Sequence, residues 1–294
     1  MDHEKALENP VVLLRGWAVN TSDPENNTWK GVEELLTRKG IPFIVPYYHR
    51  FASIEERANF AIARIGSAYP LKRVHLIGHS LGGLVARAIA SRYDLPFEVL
   101  TVTTLGSPNR GLKYIVPIHT KGGSSKLATA IRRVFGTDFG ALLDLSHTSM
   151  QAFNARTRNN PTVKYFSWAG HISRSTLAVT PEFMPLLLFV TSSYKESDGI
   201  VGIDSAMWGD DLGPGKHLGT QKLSHSSIVS VELVSETLKH LRDAELEHVP
   251  FVERVKDFMS TLPFGHHRPG VAPNGFIAQS LRCSVVKTAG LGMA

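Results

Sequence analysis

A serine acts as a nucleophile when the backbone lifts its hydroxyl onto a sharp turn, a base takes its proton and an acid steadies that base. Residues 73–87, Arg-Val-His-Leu-Ile-Gly-His-Ser-Leu-Gly-Gly-Leu-Val-Ala-Arg, meet the first of these needs. An apolar, β-branched run, Val74 to Ile77, meets Gly78-His79-Ser80-Leu81-Gly82, and a helix-period segment, Leu84 to Ser91, follows at once. Strand, Gly-x-Ser-x-Gly and helix together form the context of a nucleophile elbow. Glycines two before and two after Ser80 let strand and helix approach without Cβ clashes. The helix start also turns unpaired N–H groups and a positive dipole end towards a developing oxyanion. The chemistry expected is acyl transfer. Taken alone, Ser80 also fits a plain helix N-cap after a tight strand–helix turn.

Acid and base are expected downstream in that order, each at the C-terminal end of a strand. Asp198 lies in the turn Ser197-Asp-Gly-Ile-Val201, and His225 stands just before a terminal helical segment. Asp204 and Asp210 compete with Asp198, whose pairing with Gly199 is also a common plain turn. The chain has thirteen histidines, so position must discriminate among them. His79 adjoins Ser80, where the elbow points neighbouring side chains elsewhere. His49, His147, His171 and His217 precede Asp198 or lack a strand-end setting. For the oxyanion, the backbone N–H of Leu81 is expected as one donor. That of Trp17, in the Arg15-Gly16-Trp17 loop ending the first strand, is expected as the other.

The elements that must hold these residues alternate. Strands are expected at Pro10–Leu14, Phe43–Pro46, Val74–Ile77, Glu98–Leu105 and Val163–Trp168. Helices are expected at Trp29–Arg38, ended by Gly40, and at Ser53 to about Ala68, where Ser53 and Glu56 form a capping box. Such alternation argues an α/β fold, with a mostly parallel central sheet flanked by helices. From Gly111 to about Pro161 it breaks. Helical spacing at Lys126–Phe135 and Phe139–Phe153 suggests an inserted helical cap over about 112–160. A mobile-looking stretch containing Pro181 and Pro185, a Gly/Pro-rich loop from Gly209 to Gly219 and a helix from about Ser227 to Leu246 complete a catalytic domain over 1–250. Residues 251–294 read as a peripheral or partly disordered extension.

The net charge of +6 is modest and its basic residues are dispersed, which argues against nucleic acid and is compatible with an anionic lipid surface. The single cysteine, Cys283, excludes an internal disulfide and favours a reducing compartment. The polar start Met1-Asp-His-Glu-Lys carries no signal-peptide hydrophobic region. No apolar run nears the roughly 18–20 residues of a membrane span, and Leu186–Val190 is far too short. A soluble, intracellular and cytoplasmic protein is the expectation.

The chain resembles the triacylglycerol lipases of the α/β-hydrolase superfamily, in the group of the bacterial true lipases. Four stretches carry the likeness: 10–17, Pro-Val-Val-Leu-Leu-Arg-Gly-Trp; the elbow at 78–83; 104–111, Thr-Leu-Gly-Ser-Pro-Asn-Arg-Gly; and 197–201, Ser-Asp-Gly-Ile-Val. A weaker one spans Leu142 to Asn154. The resemblance implies an α/β-hydrolase fold in which Ser80, Asp198 and His225 are nucleophile, acid and base, and in which residues 112–150 hold a lid. It implies a lipid or ester substrate, met at a membrane or droplet surface, and no cofactor. The chain departs from the family's pattern in three places. Arg15-Gly16 stands where His-Gly is usual, and Asn109 where His is frequent. Ser227 occupies the position of an aspartate that often helps to hold calcium, so no metal site is expected. An acyl-thioesterase or acyltransferase would use the same triad, and Arg15 leaves room for an inactive binding module.

Overall fold

The computed structural model describes residues 7–16, 27–49, 52–115, 144–179 and 187–247. The chain divides into two units, Met1–His248 and Val249–Ala294. The second lies outside the described residues, as do Trp17 and most of the expected cap, 116–143.

Among the described residues the elements are β1 (Val11–Leu14), α1 (Lys30–Arg38), β2 (Phe43–Ile44), α2 (Ile54–Ala68), β3 (Arg73–His79), α3 (Leu81–Ala90) and β4 (Glu98–Leu105). They continue with α4 (His147–Arg156), β5 (Lys164–Gly170), α5 (Arg174–Val179), α6 (Leu187–Ser193), α7 (Ile203–Ala206), a 3₁₀ turn (Asp210–Leu212), β6 (Lys216–Gln221) and α8 (Val231–Glu247). One six-stranded sheet runs in the order β2-β1-β3-β4-β5-β6, and every neighbouring pair is parallel.

Both faces of the sheet are buried, so its inner strands read as nearly continuous apolar runs instead of alternating ones. Val12, Leu14, Val74, Leu76 and Val102 pack on one face with Ala58, Ala61 and Ile65 of α2 and with Leu84, Val85 and Ile89 of α3. Val11, Leu13, Ile77 and Leu105 pack on the other with Val32 and Leu36 of α1 and with Leu233, Val234, Leu238 and Leu241 of α8. All ten residues of α3 are buried, which fixes the helix that follows Ser80 as part of the core.

Helix α2 begins with the expected capping box: Ser53 Oγ accepts from the Glu56 N–H, and Glu56 Oε2 accepts from the Ser53 N–H. Other expectations need correction. The helix placed at Phe139–Phe153 begins at His147, because Ser146 Oγ accepts the Ser149 N–H and caps the chain there; its first residues, 139–143, lie outside the described set. Pro181 and Pro185, the centre of the stretch read as mobile, lie in residues 180–186, outside the described set, and α5 and α6 flank them. The Gly/Pro-rich loop runs into the edge strand β6, whose residues are exposed or half-buried and carry no apolar signature. The last helix starts at Val231 because Ser224 and Ser227 close a turn of their own, and it is Ser230 that accepts the Leu233 N–H.

Near the N-terminal end of the inner strand β3, fully buried His75 places Nε2 3.0 Å from Glu245 Oε1 of α8 and Nδ1 3.0 Å from Thr101 Oγ1. Glu245 also accepts from the backbone N–H groups of Glu8 and Asn9 and from the Asn9 amide. Burial pushes the Glu245 carboxyl up, but the hydrogen bonds from His75, Glu8 and Asn9 outweigh it and hold the group at about 2. Burial pushes His75 below its ordinary 6.5, against the pull of Glu245. Both shifts act in one direction. The unfolded chain takes up protons that the fold excludes, first at His75 below pH 6.5 and then at Glu245 below its ordinary 4.5. Stability is therefore expected to be full above about pH 7 and to fall as pH drops through 6 towards 3. The urea midpoint measured across that range checks this, and Glu245→Gln should flatten the lower part of the fall. A wild-type midpoint independent of pH would refute it.

Candidate active site

The elbow is strained, as its role requires. Ser80 sits at φ 53° and ψ −126°, and it shares positive φ among described non-glycine residues only with Leu71. Such a conformation costs on the order of 1–3 kcal/mol and persists only where the surroundings impose it. Two glycines do so. A Cβ on Gly78 would lie 2.3 Å from Gly82 O, and one on Gly82 would lie 2.1 Å from Leu14 O, both impossible contacts. Helix α3 therefore packs directly on the end of β1. Its N-cap is Ser80, whose hydroxyl makes no capping bond and stays available. The Leu81 N–H opens that helix without an intrahelical acceptor, as the expected oxyanion donor should.

The three expected side chains come together. Ser80 Oγ lies 2.9 Å from His225 Nε2, across 145 positions of sequence. His225 Nδ1 lies 2.8 Å from Asp198 Oδ2. A carboxylate only accepts, so Nδ1 carries the proton and Nε2 offers its lone pair to the serine hydroxyl. The acid is fully buried, and its second oxygen, Oδ1, accepts from the backbone N–H groups of Ile200 and Val201. The Asp198 carbonyl accepts the His225 N–H at 2.8 Å, tying the two loops at the backbone as well. Gly106, at φ 55°, borders this contact: a Cβ there would stand 3.0 Å from Asp198 Oδ2 and 3.5 Å from His225 Nδ1.

The rivals for each role lie elsewhere. Asp204 pairs with Lys113, and Asp210 begins the 3₁₀ turn. His147 meets the Arg110 carbonyl, and His217 meets Ser167 and Thr220. Trp17, the second expected oxyanion donor, falls outside the described residues. Among the described residues no group of three or more His, Cys, Asp or Glu side chains is placed to hold a metal ion.

Several contributors carry no signal in the sequence, because they act through long-range contacts. The two carbonyls that lead into the oxyanion loop are both held by buried side chains. Tyr48 OH donates to Arg15 O at 2.6 Å, and Arg57 Nη1 donates to Gly16 O at 3.4 Å. Arg57 also lies 4.8 Å over the Tyr48 ring. Burial pushes the Tyr48 hydroxyl up to about 12, against the pull of Arg57, so it remains a donor. Tyr48→Phe leaves a buried carbonyl unpaired and is expected to lower stability by roughly 1–3 kcal/mol. Urea unfolding would measure that loss. The same variant should lower kcat more than it raises KM.

Arg15, the unusual residue of this loop, is buried: Nη2 donates to Asn27 Oδ1, and the guanidinium lies 5.0 Å over Tyr47. Asn109 is equally accommodated. Its side chain donates to Ala206 O and accepts from buried Arg87, whose other terminal nitrogen donates to Asn154 of α4. Burial lowers Arg87 to about 10, which leaves it a cation between Phe153 and Trp208. The segment after β4 is thereby bound to the nucleophile helix.

A family model described as the alpha/beta hydrolase fold matches residues 21–192. A triacylglycerol lipase of Pseudomonas fragi is 26% identical over 295 residues, covering 84% of this chain and 100% of that relative. One of Pseudarthrobacter phenanthrenivorans is 30% identical over 173 residues, covering 55% of this chain and 53% of the relative, so the chain spans about half the length of that protein. Among solved structures, the mature form of Bacillus licheniformis lipase BlEst2 superposes with a TM-score of 0.62 at 20% identity, covering 81% of this chain and 94% of that one. EstA from Clostridium botulinum gives 0.56 at 17%, covering 80% and 87%. At these identities the solved structures show likeness of fold.

Proposed function

The chain belongs to the α/β-hydrolase family and is an ester hydrolase, and from that premise we propose that it cleaves the carboxylic esters of lipids through an acyl-enzyme on Ser80. The observation that carries the reading is the hydrogen-bond chain from Ser80 through His225 to Asp198, at 2.9 and 2.8 Å. His225 Nε2 takes the hydroxyl proton as Oγ attacks the ester carbonyl. The Leu81 N–H and a second N–H, that of Trp17, receive the oxyanion. Asp198 holds Nδ1–H in place and offsets the charge of the imidazolium. The imidazolium then hands its proton to the departing alcohol, leaving an ester between the acyl group and Oγ. Water enters, gives its proton to His225 and attacks that ester, and the free acid leaves as Ser80 recovers its proton.

The choice of lipid esters rests on the matched relatives, which are named triacylglycerol lipases, and on the apolar helical periodicity of the segment between β4 and α4. The substrate is accordingly expected at a lipid–water surface. Among the described residues no helix is long and apolar enough to cross a membrane.

The test is hydrolysis of p-nitrophenyl esters from acetate to palmitate, together with fatty-acid release from emulsified triglyceride. Turnover that favours the longer chains and the emulsion is expected. Absence of hydrolysis across the whole series, with no labelling of Ser80 by a fluorophosphonate, would overturn the reading.

A further inference from the structure

His79 precedes the nucleophile and is not one of the three residues assigned to the reaction, yet its side chain is spent on the base. It is 7% exposed, and its Nε2 lies 2.8 Å from the main-chain carbonyl oxygen of His225. A carbonyl oxygen only accepts, so Nε2 carries the proton. The two imidazole rings stand 4.9 Å apart at 44°. The other nitrogen, Nδ1, is buried and has no hydrogen-bond partner. An apolar side chain of similar size would avoid that unsatisfied lone pair, so what the imidazole contributes here is its single donor.

The place of that donor gives it a meaning. Two of the bonds that fix His225, from its N–H and from Nδ1, go to Asp198, on the far side of the base from the serine. The third comes from the residue next to Ser80. The nucleophile and an anchor for its base therefore hang on adjacent residues of one strand end, and a single peptide unit relates them. We propose that His79 is a positioning residue: its Nε2–H ties the main chain of His225 to the strand that carries Ser80 and so sets the separation of nucleophile and base.

Protonation does not interrupt the tie. Burial, and with it the charge that His225 takes on, pushes His79 down to about 3, so the ring stays a neutral donor while its neighbour cycles through the cationic form.

The inference rests on the triad reading above, and the experiment separates the two. Wild type, His79→Leu and His79→Gln are compared in kcat, in KM for a p-nitrophenyl ester and in the rate of fluorophosphonate labelling. Circular dichroism establishes that each folds. Leucine removes the donor, whereas the glutamine amide can place an N–H near the position of Nε2. His79→Leu is expected to lose about ten- to a hundredfold in kcat and in labelling rate, the range that a loosened reacting geometry produces, with KM within about twofold. His79→Gln should recover most of it. If His79→Leu does not fold, His79→Asn, too short to reach the carbonyl, serves in its place and should show the same loss.

Equal kcat in wild type and His79→Leu, or a change confined to KM, would overturn the positioning role while leaving the triad intact. Equal losses in the leucine and glutamine variants would also overturn it, since they would assign the residue to packing. A wild-type protein that neither hydrolyses ester nor takes the label would instead sink the triad reading on which the inference stands.

Discussion

Replacing Ser80 by alanine is expected to lower kcat by about 10⁴- to 10⁶-fold, to the level that binding and the oxyanion donors sustain without a nucleophile. The effect is this large because Oγ is the atom that becomes covalently bonded, and no other hydroxyl is within reach of His225 Nε2 among the hydrogen bonds of the described residues. The fold should survive, since the Ser80 side chain caps nothing and its backbone conformation is imposed by Gly78 and Gly82. Glycine at the same position should be equally inactive but more stable than alanine, because glycine enters positive φ without strain. Ester turnover and urea midpoints of the two variants check both halves. Appreciable hydrolysis by pure Ser80→Ala protein would remove the serine from the reaction.

Asp198→Asn is expected to be the second most damaging change, with kcat down by about 10⁴-fold and KM nearly unchanged. The argument runs through the proton inventory. Oδ1 of Asp198 accepts two backbone N–H groups, from Ile200 and Val201. Asparagine would keep its carbonyl oxygen on those donors and turn its NH₂ towards His225 Nδ1. That nitrogen must then accept, so the imidazole proton moves to Nε2 and points at Ser80 Oγ. A base already holding a proton there cannot take another. Steady-state kinetics on a p-nitrophenyl ester would measure the loss. Unimpaired turnover by Asp198→Asn would mean that the carboxylate does not orient the base.

Much of the framework was legible because local signals and tertiary demands agree. The apolar runs of β1, β3 and β4, the Ser53–Glu56 cap and the elbow glycines each express locally what the fold needs. Strand β6 was not legible: Lys-His-Leu-Gly-Thr-Gln lies at a sheet edge, where only one neighbour and little burial constrain its composition. The start of α8 misled for another reason. Four serines precede it, and only tertiary context decides which one caps the helix and which close a separate turn. At the site, chain order brought out Ser80, Asp198 and His225, whose carriers sit at predictable places. Tyr48, Arg57 and His79 escaped because their roles consist of bonds to main-chain carbonyls far away in sequence, which composition and spacing do not encode.

Positions 15 and 109, where the chain departs from the pattern it resembles, lie where the proposed chemistry would draw on the backbone. Arg15 contributes its carbonyl to Tyr48 while its side chain turns to Asn27 and Tyr47.

His75 lies in β3 and Ser80 directly follows that strand, five residues on, so the His75–Glu245 hydrogen bond lies about 16 Å from the nucleophile at ~3.3 Å per residue. Substitutions that far apart, without shared partners, combine additively. Redesign of the His75–Glu245–Asn9 cluster against acid should thus simply add its stability change to those of substitutions at the elbow, so that directed evolution could combine the two.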